Sequence, residues 1–138
     1  MRAFVLAALL VISGAVSASA GLVAKIDISA QTMTVSRDGD VLYSWAVSTA
    51  RKGYRTPRGS FRPTRLHKMW YSRKYDNAPM PNSIFFTGGY AIHGTPHIKN
   101  LGRPASHGCV RLHPANAKIL YDLVQTYGRG NTRIVLTN

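Results

Sequence analysis

The chain has 138 residues and a formal net charge of +13, carried by 18 lysines and arginines against five aspartates. A chain of this length suits one compact domain with its own core, and no Pro- or Ser-rich linker, internal repeat or low-complexity tract divides it. These features exclude a multidomain or repeat architecture, and the charge predicts anionic partners.

The first 20 residues have the composition of an export signal. Arg2 supplies a positive start, residues 3–12 form a short apolar run, and Ala18-Ser19-Ala20 offers the small residues that a signal peptidase needs. The run is shorter than the roughly 20 apolar residues that span a bilayer, which argues against an uncleaved membrane anchor. We predict a signal peptide over 1–20 and an exported, periplasmic domain over 21–138, monomeric and without stable membrane insertion.

Export also bears on the anionic partner. Nucleic acid is the usual partner of a basic domain, but it does not fit an exported chain whose lysines and arginines are scattered. We therefore predict no nucleic-acid binding. The anions of the cell envelope are the carboxylates of peptidoglycan stem peptides, lipid phosphates and anionic surface polymers. A charge that serves only solubility is the alternative.

Three short strands are predicted at the start of the domain. Residues 22–28 alternate apolar and polar side chains, and residues 31–37 repeat this pattern with Thr and Val. Asp38-Gly39 is a hairpin signal, after which residues 41–48 form the returning strand.

The middle of the chain mixes loops and strands. Residues 51–59 form a turn-rich basic loop, and residues 60–66 predict a further strand. Residues 68–82 are predicted to be irregular, and their aromatic side chains form either a substrate lid or a cover over an open end of the core. Residues 84–87 and 90–93 are predicted as buried strands separated by a glycine pair.

A helix is predicted only over residues 114–127. Pro114 suits the first helical position and Gly128 the end of the helix. The apolar residues that recur at helical spacing are Ala117, Leu120, Tyr121 and Val124. A strand over 132–137 closes the chain. The predicted fold class is mainly β, a single sandwich or barrel-like domain with one packed α-helix.

Cys109 is the only cysteine of the chain. An exported protein with one cysteine has no internal disulfide, so the thiol is either buried, paired with another chain or reactive. No Asp or Glu lies between Asp76 and Asp122, and a field without carboxylates favours a thiolate. A lone cysteine is usually a small buried hydrophobe, but the polar, glycine-punctuated surroundings of Cys109 favour a nucleophile.

Two histidines are candidates for the base that activates the thiol. His107 lies two residues before Cys109, and His93 ends a predicted strand upstream. Spacing alone leaves both open. Gly108 permits a sharp turn before the nucleophile, so the amides of Gly108 and Cys109 are expected to point at one spot and form an oxyanion hole.

A zinc site is the alternative chemistry for this segment. Its ligands would be His93, His97, His107 and Cys109. The chain lacks CxxC and HExxH patterns and has no carboxylate nearby. We therefore predict neither a metal nor a cofactor.

The residues around Cys109 resemble a family signature. His93-Gly94 followed after a gap by residues 106–112, Ser-His-Gly-Cys-Val-Arg-Leu, is similar to the signature of the L,D-transpeptidase (YkuD) family. Residues 56–61, Thr-Pro-Arg-Gly-Ser-Phe, resemble its upstream Thr-Pro-x-Gly-x-Phe element, and residues 84–94 resemble its approach to the histidine. The likeness covers essentially all of 21–138 and implies the family's β-sandwich.

The resemblance also implies roles for single residues. Cys109 would be the nucleophile and His93 the general base, with the Gly94 carbonyl orienting the imidazole. His107 and Gly108 would shape the oxyanion region. The residues implied to bind substrate are Ser106, Arg111 and Tyr90, and the guanidinium of Arg111 suits a substrate carboxylate.

The implied function is a peptidoglycan L,D-transpeptidase. Cys109 would attack the carbonyl between an L- and a D-centre of a tetrapeptide stem and expel D-alanine, and an amine of a neighbouring stem would resolve the thioester into a cross-link. One alternative is an L,D-carboxypeptidase or other amide hydrolase, in which water resolves the thioester. Another is a non-catalytic, basic wall-binding module.

Overall fold

A computed structural model describes residues 21–138, and the predicted signal peptide lies outside them. The strands are β1 (Leu22–Asp27), β2 (Thr32–Arg37), β3 (Asp40–Ala46), β4 (Gly59–Phe61), β5 (Arg65–Ser72), β6 (Ala78–Thr87), β7 (Tyr90–Gly94), β8 (Val110–Leu112) and β9 (Thr132–Thr137). The α-helix of this part of the chain is α1 (Pro114–Tyr127), and short 3-10 turns occur at Arg73–Tyr75, Ile98–Asn100 and Arg129–Asn131.

The strands form two sheets. Sheet A has the order β3-β2-β1-β9-β4, and sheet B has the order β5-β6-β7-β8. Most neighbours are antiparallel, but β1 with β9 and β7 with β8 are parallel pairs. The prediction of a mainly β domain with one packed helix is confirmed.

The main core contains residues of both sheets and of the helix. Alternate residues of β1 are buried because successive side chains of a strand point to opposite faces. The buried members of the main core include Leu22, Ile26, Val35, Ile84, Ile92, Val110, Leu112, Leu120 and Ile134. Burying each such aliphatic side chain contributes about 1.5–3 kcal/mol, so this core holds sheet B, and with it the candidate site, in a fixed position.

Helix α1 has the predicted bounds. Pro114 occupies its first turn, and the Nδ1 atom of His113 accepts a hydrogen bond from the amide of Ala115 at 3.1 Å. Gly128 follows the last residue with a φ of +86°. Within residues 21–138, no helix is long and apolar enough to cross a membrane.

The prediction that residues 68–82 are irregular is wrong. They belong to the β5–β6 hairpin, whose tip carries Asp76 and Asn77 with φ of +54° and +53°. Prolines at 79 and 81 suggested a loop, yet both pair with β5. Pairing of β6 with β7 begins only at Ile84. The prolines therefore lie where β6 has a free edge and needs no second set of amide donors.

The predicted strand over 60–66 is also wrong. It is divided between β4 of sheet A and β5 of sheet B, and the chain passes from one sheet to the other at Pro63. The three-residue strand β8 was not predicted, because so short a segment carries little alternation. Strand β8 brings the cysteine segment alongside the histidine strand β7.

Candidate active site

The register of β7 and β8 places the candidate residues on one face of sheet B. Ile92 pairs with Val110, and His93 pairs with Arg111. Ile92 and Val110 belong to the main core. Because side chains alternate along a strand, His93 and Arg111 lie on the opposite, outer face, and so does Cys109, two residues before Arg111.

Cys109 is half-buried in a second, smaller apolar cluster on this outer face. The other members of the cluster are Met80, Phe85, Ala91 and Trp70. Its Sγ atom lies 4.0 Å from the carbonyl oxygen of Gly89. The cluster surrounds the thiol with apolar side chains and restricts its contact with water.

Burial raises the pKa of the Cys109 thiol, and this effect outweighs the Ala91 amide and the Arg111 charge, which both lower it. The resting side chain is therefore a protonated thiol. The interpretation that the carboxylate-free segment favours a thiolate is wrong for the resting site, because it considered charge and not desolvation. A protonated thiol needs a base before it attacks.

His93 has the geometry of such a base. Its Nδ1 lies 2.7 Å from the carbonyl oxygen of Gly94. A carbonyl only accepts, so Nδ1 carries the proton and Nε2 keeps its lone pair. The side chain is 6% exposed, and burial lowers its pKa to about 4. The imidazole is neutral near pH 7 and able to accept a proton at Nε2.

Two hydroxyl groups fix the loop that precedes Cys109. The Ser106 Oγ accepts from the Gly108 amide at 3.0 Å and donates to the Cys109 carbonyl at 2.6 Å. The Thr56 Oγ1 donates to the Gly108 carbonyl at 2.9 Å and accepts from the Ala50 amide at 3.0 Å. Both side chains are buried. Ser106 lines the cleft, but its hydroxyl makes both of these hydrogen bonds within the loop, whereas the resemblance implied a contact with the substrate.

Gly108 adopts a backbone conformation that few other residues tolerate. Its φ is +133°, and a Cβ at this position would lie 2.6 Å from Cε1 of Tyr90 and 3.0 Å from the carbonyl oxygen of Arg55. Its amide is bound to Ser106, so it does not provide the oxyanion donor that the sequence predicted. Within residues 21–138 the Cys109 amide has no hydrogen-bond partner, and it remains as a donor.

His107 is held between two tyrosines. Its ring stacks on Tyr75 at 4.0 Å between centroids and tilts against Tyr54 at 4.7 Å. Burial and the nearby Arg51 lower its pKa. The side chain thus joins the 51–59 loop to the tip of the β5–β6 hairpin.

A cleft of about 590 Å³ runs over this face of sheet B. Candidate residues in its lining are Tyr90, His93, Ser106, His107, Cys109 and Arg111. Its basic residues are Arg65, Arg73, Lys74 and Arg111, whereas Asp76 is the one acid among the lining residues. Such a cleft attracts anionic ligands. No group of three or more His, Cys, Asp or Glu side chains in residues 21–138 has a metal-binding arrangement.

Comparison with known families agrees with this geometry. The YkuD family profile, described as the L,D-transpeptidase catalytic domain, matches residues 22–135. The chain belongs to the L,D-transpeptidase family.

Individual relatives are similar over the same region. L,D-transpeptidase 1 of Mycobacterium tuberculosis is 32% identical over an alignment of 117 residues, and the match covers 75% of this chain and 47% of the relative. The chain therefore spans about half the length of this curated relative.

Solved L,D-transpeptidase structures share the fold. The enzyme from Mycobacterium smegmatis is 28% identical with a TM-score of 0.76, over 86% of this chain and 59% of that one. The enzyme from Xylanimonas cellulosilytica is 32% identical with a TM-score of 0.73, over 88% and 62%. An L,D-transpeptidase solved in complex with imipenem is 27% identical with a TM-score of 0.76, over 85% and 59%.

Some residues of this L,D-transpeptidase domain were not singled out from the sequence. Thr56 was visible only as part of the Thr-Pro-x-Gly-x-Phe element, and its hydrogen bond to the Gly108 carbonyl connects that element to the cysteine motif. Tyr75 was predicted only as one of the aromatic residues of 68–82, and its stacking on His107 was not predicted. Tyr54 and Arg65 carried no sequence signal, because their positions depend on how the hairpin folds over the cleft.

Proposed function

We propose that the chain is a peptidoglycan L,D-transpeptidase with Cys109 as nucleophile and His93 as general base. The observation that carries this proposal is the buried, neutral His93, whose Nδ1 is bound to Gly94 and which shares the outer face of sheet B with Cys109. This arrangement supplies an activated nucleophile without a carboxylate.

The first half-reaction forms a thioester. His93 Nε2 takes the proton of Cys109 as Sγ attacks the carbonyl between the L- and D-centres of a tetrapeptide stem. The amide of Cys109 donates to the developing oxyanion, a type of contact worth about 10²–10³ in kcat. The C–N bond then breaks, and His93 returns the proton to the nitrogen of the departing D-alanine.

The second half-reaction resolves the thioester. An amine of a neighbouring stem attacks the acyl carbon and gives a proton to His93. The C–S bond breaks, and the sulfur regains the proton from His93. The products are a new amide cross-link and the free thiol. Because the thioester conserves the free energy of the cleaved amide bond, the second step needs no further energy source.

Arg111 is assigned to a substrate carboxylate. It is half-buried, directly opposite His93, and lines the cleft. A guanidinium presents a planar fork that suits a carboxylate. Its charge also lowers the pKa of both His93 and Cys109.

Hydrolysis on the same site is the competing proposal, since water replaces the amine in the second step. Incubating residues 21–138 with tetrapeptide-stem muropeptides and weighing the products distinguishes them. Transpeptidation gives dimers together with D-alanine, whereas tripeptides without dimers would assign an L,D-carboxypeptidase. If neither dimers nor tripeptides form, the non-catalytic wall-binding module is the remaining alternative.

Export to the periplasm is the proposed location. Its support is the composition of residues 1–20. Recovery of the native protein from a periplasmic fraction, with an N-terminus at Gly21, is the expected result. Recovery in the cytoplasm with Met1 present would contradict it.

A further inference from the structure

A row of paired residues crosses sheet B from its β5 edge to the cysteine. Arg65 pairs with Phe85, and Phe85 pairs with Ala91. Cys109 lies beside Ala91, because the next residues of the two strands are partners. Neighbouring strands are about 4.8 Å apart, so the backbones of Arg65 and Cys109 are about 14 Å apart.

The side chain of Arg65 extends along this row towards the thiol. Its guanidinium carbon lies 3.9 Å from the ring centroid of Phe85 and 4.7 Å from that of Trp70. Both rings belong to the apolar cluster that contains Cys109. Phe85 is two strands from Cys109, so their backbones are about 10 Å apart. The guanidinium over the Phe85 ring is therefore at a distance on the order of 10 Å from the cysteine. Stacking fixes the plane of the guanidinium and leaves its N–H edge free to donate.

Arg65 has no acidic partner within residues 21–138. The salt bridge within residues 21–138 joins Lys118 and Asp122 on helix α1 and does not involve Arg65. Arg65 lines the same cleft as Cys109. A stacked, preorganised guanidinium without a protein counter-ion, facing a cleft, is suited to an anion from the ligand.

We propose that Arg65 binds a carboxylate of the acyl donor that lies about 10 Å from the carbonyl attacked by Cys109. This rests on the proposed function and names a specificity-determining residue for it. An extended peptide advances about 3.3–3.6 Å per residue, so the carboxylate of the departing D-alanine is too close to the reacting carbonyl. The partner is therefore one of the other stem carboxylates, that of the second residue or that at the end of the third side chain, provided that the chain between it and the reacting carbonyl is extended.

Substrate and enzyme variants together test this contact. Release of D-alanine is measured with a stem whose two candidate carboxylates are free, and with stems in which one or the other is amidated. Arg65→Gln is expected to lower kcat/KM about 10- to 100-fold for the free stem, and to change it less than about twofold for the stem amidated at the contacted carboxylate. Arg65→Lys should restore part of the loss. Arg62→Gln removes the same charge outside the cleft lining and should leave kcat/KM unchanged.

Equal losses with every stem would show that Arg65 only maintains the fold of the cleft, and no loss would show that the contact is not made. Either result overturns the proposal. A wild-type enzyme that turns over no stem would instead contradict the proposed function. The Kd of the same stems for Cys109→Ala, with and without Arg65→Gln, then still decides whether Arg65 binds the carboxylate.

Discussion

The Nδ1 atom of His93 donates a 2.7 Å hydrogen bond to the carbonyl oxygen of Gly94, its neighbour in the chain. The bond fixes the tautomer with Nε2 unprotonated. A carbonyl dipole stabilises an imidazolium less than a carboxylate does, and burial disfavours the charge further. His93 is thus a base that stays neutral well below pH 6.5.

The pH profile of the reaction should reflect this low pKa. The acid limb of kcat/KM for D-alanine release is expected near pH 4, the pKa of His93, with little loss at pH 5. Initial rates between pH 3 and pH 8 measure it, with an uncharged donor to remove the titration of substrate carboxylates. An acid limb near pH 6.5 would contradict the burial of a neutral His93.

Stability should depend on the same group. Between pH 6.5 and about 4 the unfolded chain binds a proton at His93 and the folded chain does not, so the stabilisation present above pH 6.5 is lost as the pH falls through this window. The loss from this residue is about 3 kcal/mol. Urea denaturation of the wild type and of His93→Gln at pH 7 and pH 4.5 measures it. Equal pH dependence in both would contradict the prediction.

The glycine before the nucleophile should be irreplaceable. Gly108→Ala places a Cβ against Tyr90 in a backbone conformation that L-residues rarely adopt. We expect a loss of about 1–3 kcal/mol of unfolding free energy and at least about tenfold in kcat. Gly102→Ala is the matched control, since its φ is +94° and its Cβ would meet open space. A similar loss of kcat in both variants would contradict the specific role of Gly108.

The Thr56 hydroxyl should matter for the position of the cysteine loop. Thr56→Val keeps the shape but leaves the Gly108 carbonyl and the Ala50 amide without their partner. Each buried group left unpaired costs about 1–3 kcal/mol. We expect a lower melting temperature and a lower kcat, with Thr56→Ser restoring both. Loss of function in Thr56→Ser as well would indicate that the methyl group, not the hydroxyl, matters.

His107 should act through the packing of its ring against Tyr54 and Tyr75 and not through proton transfer. His107→Phe retains the stack between Tyr54 and Tyr75 and is expected to keep kcat within about tenfold of wild type, whereas His107→Ala should raise KM by loosening the hairpin tip. His93→Ala should lose far more kcat than either variant. A His107→Phe enzyme as inactive as His93→Ala would make His107 the base.

Alternation and helical periodicity were enough to predict β1, β2, helix α1 and β9, because each of these elements buries one face in a common core. Strand β3 has no buried residue, and the Asp38-Gly39 hairpin signal predicted it. The β5–β6 hairpin was missed because Pro79 and Pro81 are tolerated only through the free edge of β6, which depends on the sheet order. The hydrogen bond that occupies the Gly108 amide and the burial that keeps Cys109 protonated are tertiary effects, and the local sequence does not carry them.

The acyl-enzyme itself tests the central claim most directly. Residues 21–138 are mixed with a tetrapeptide stem, quenched with acid during turnover, digested and mapped by mass spectrometry. We expect the mass of the tripeptide acyl group on Cys109, and none in Cys109→Ala. An acyl group on another residue, or turnover of the stem by the Cys109→Ala protein, would contradict the assignment of Cys109 as the nucleophile.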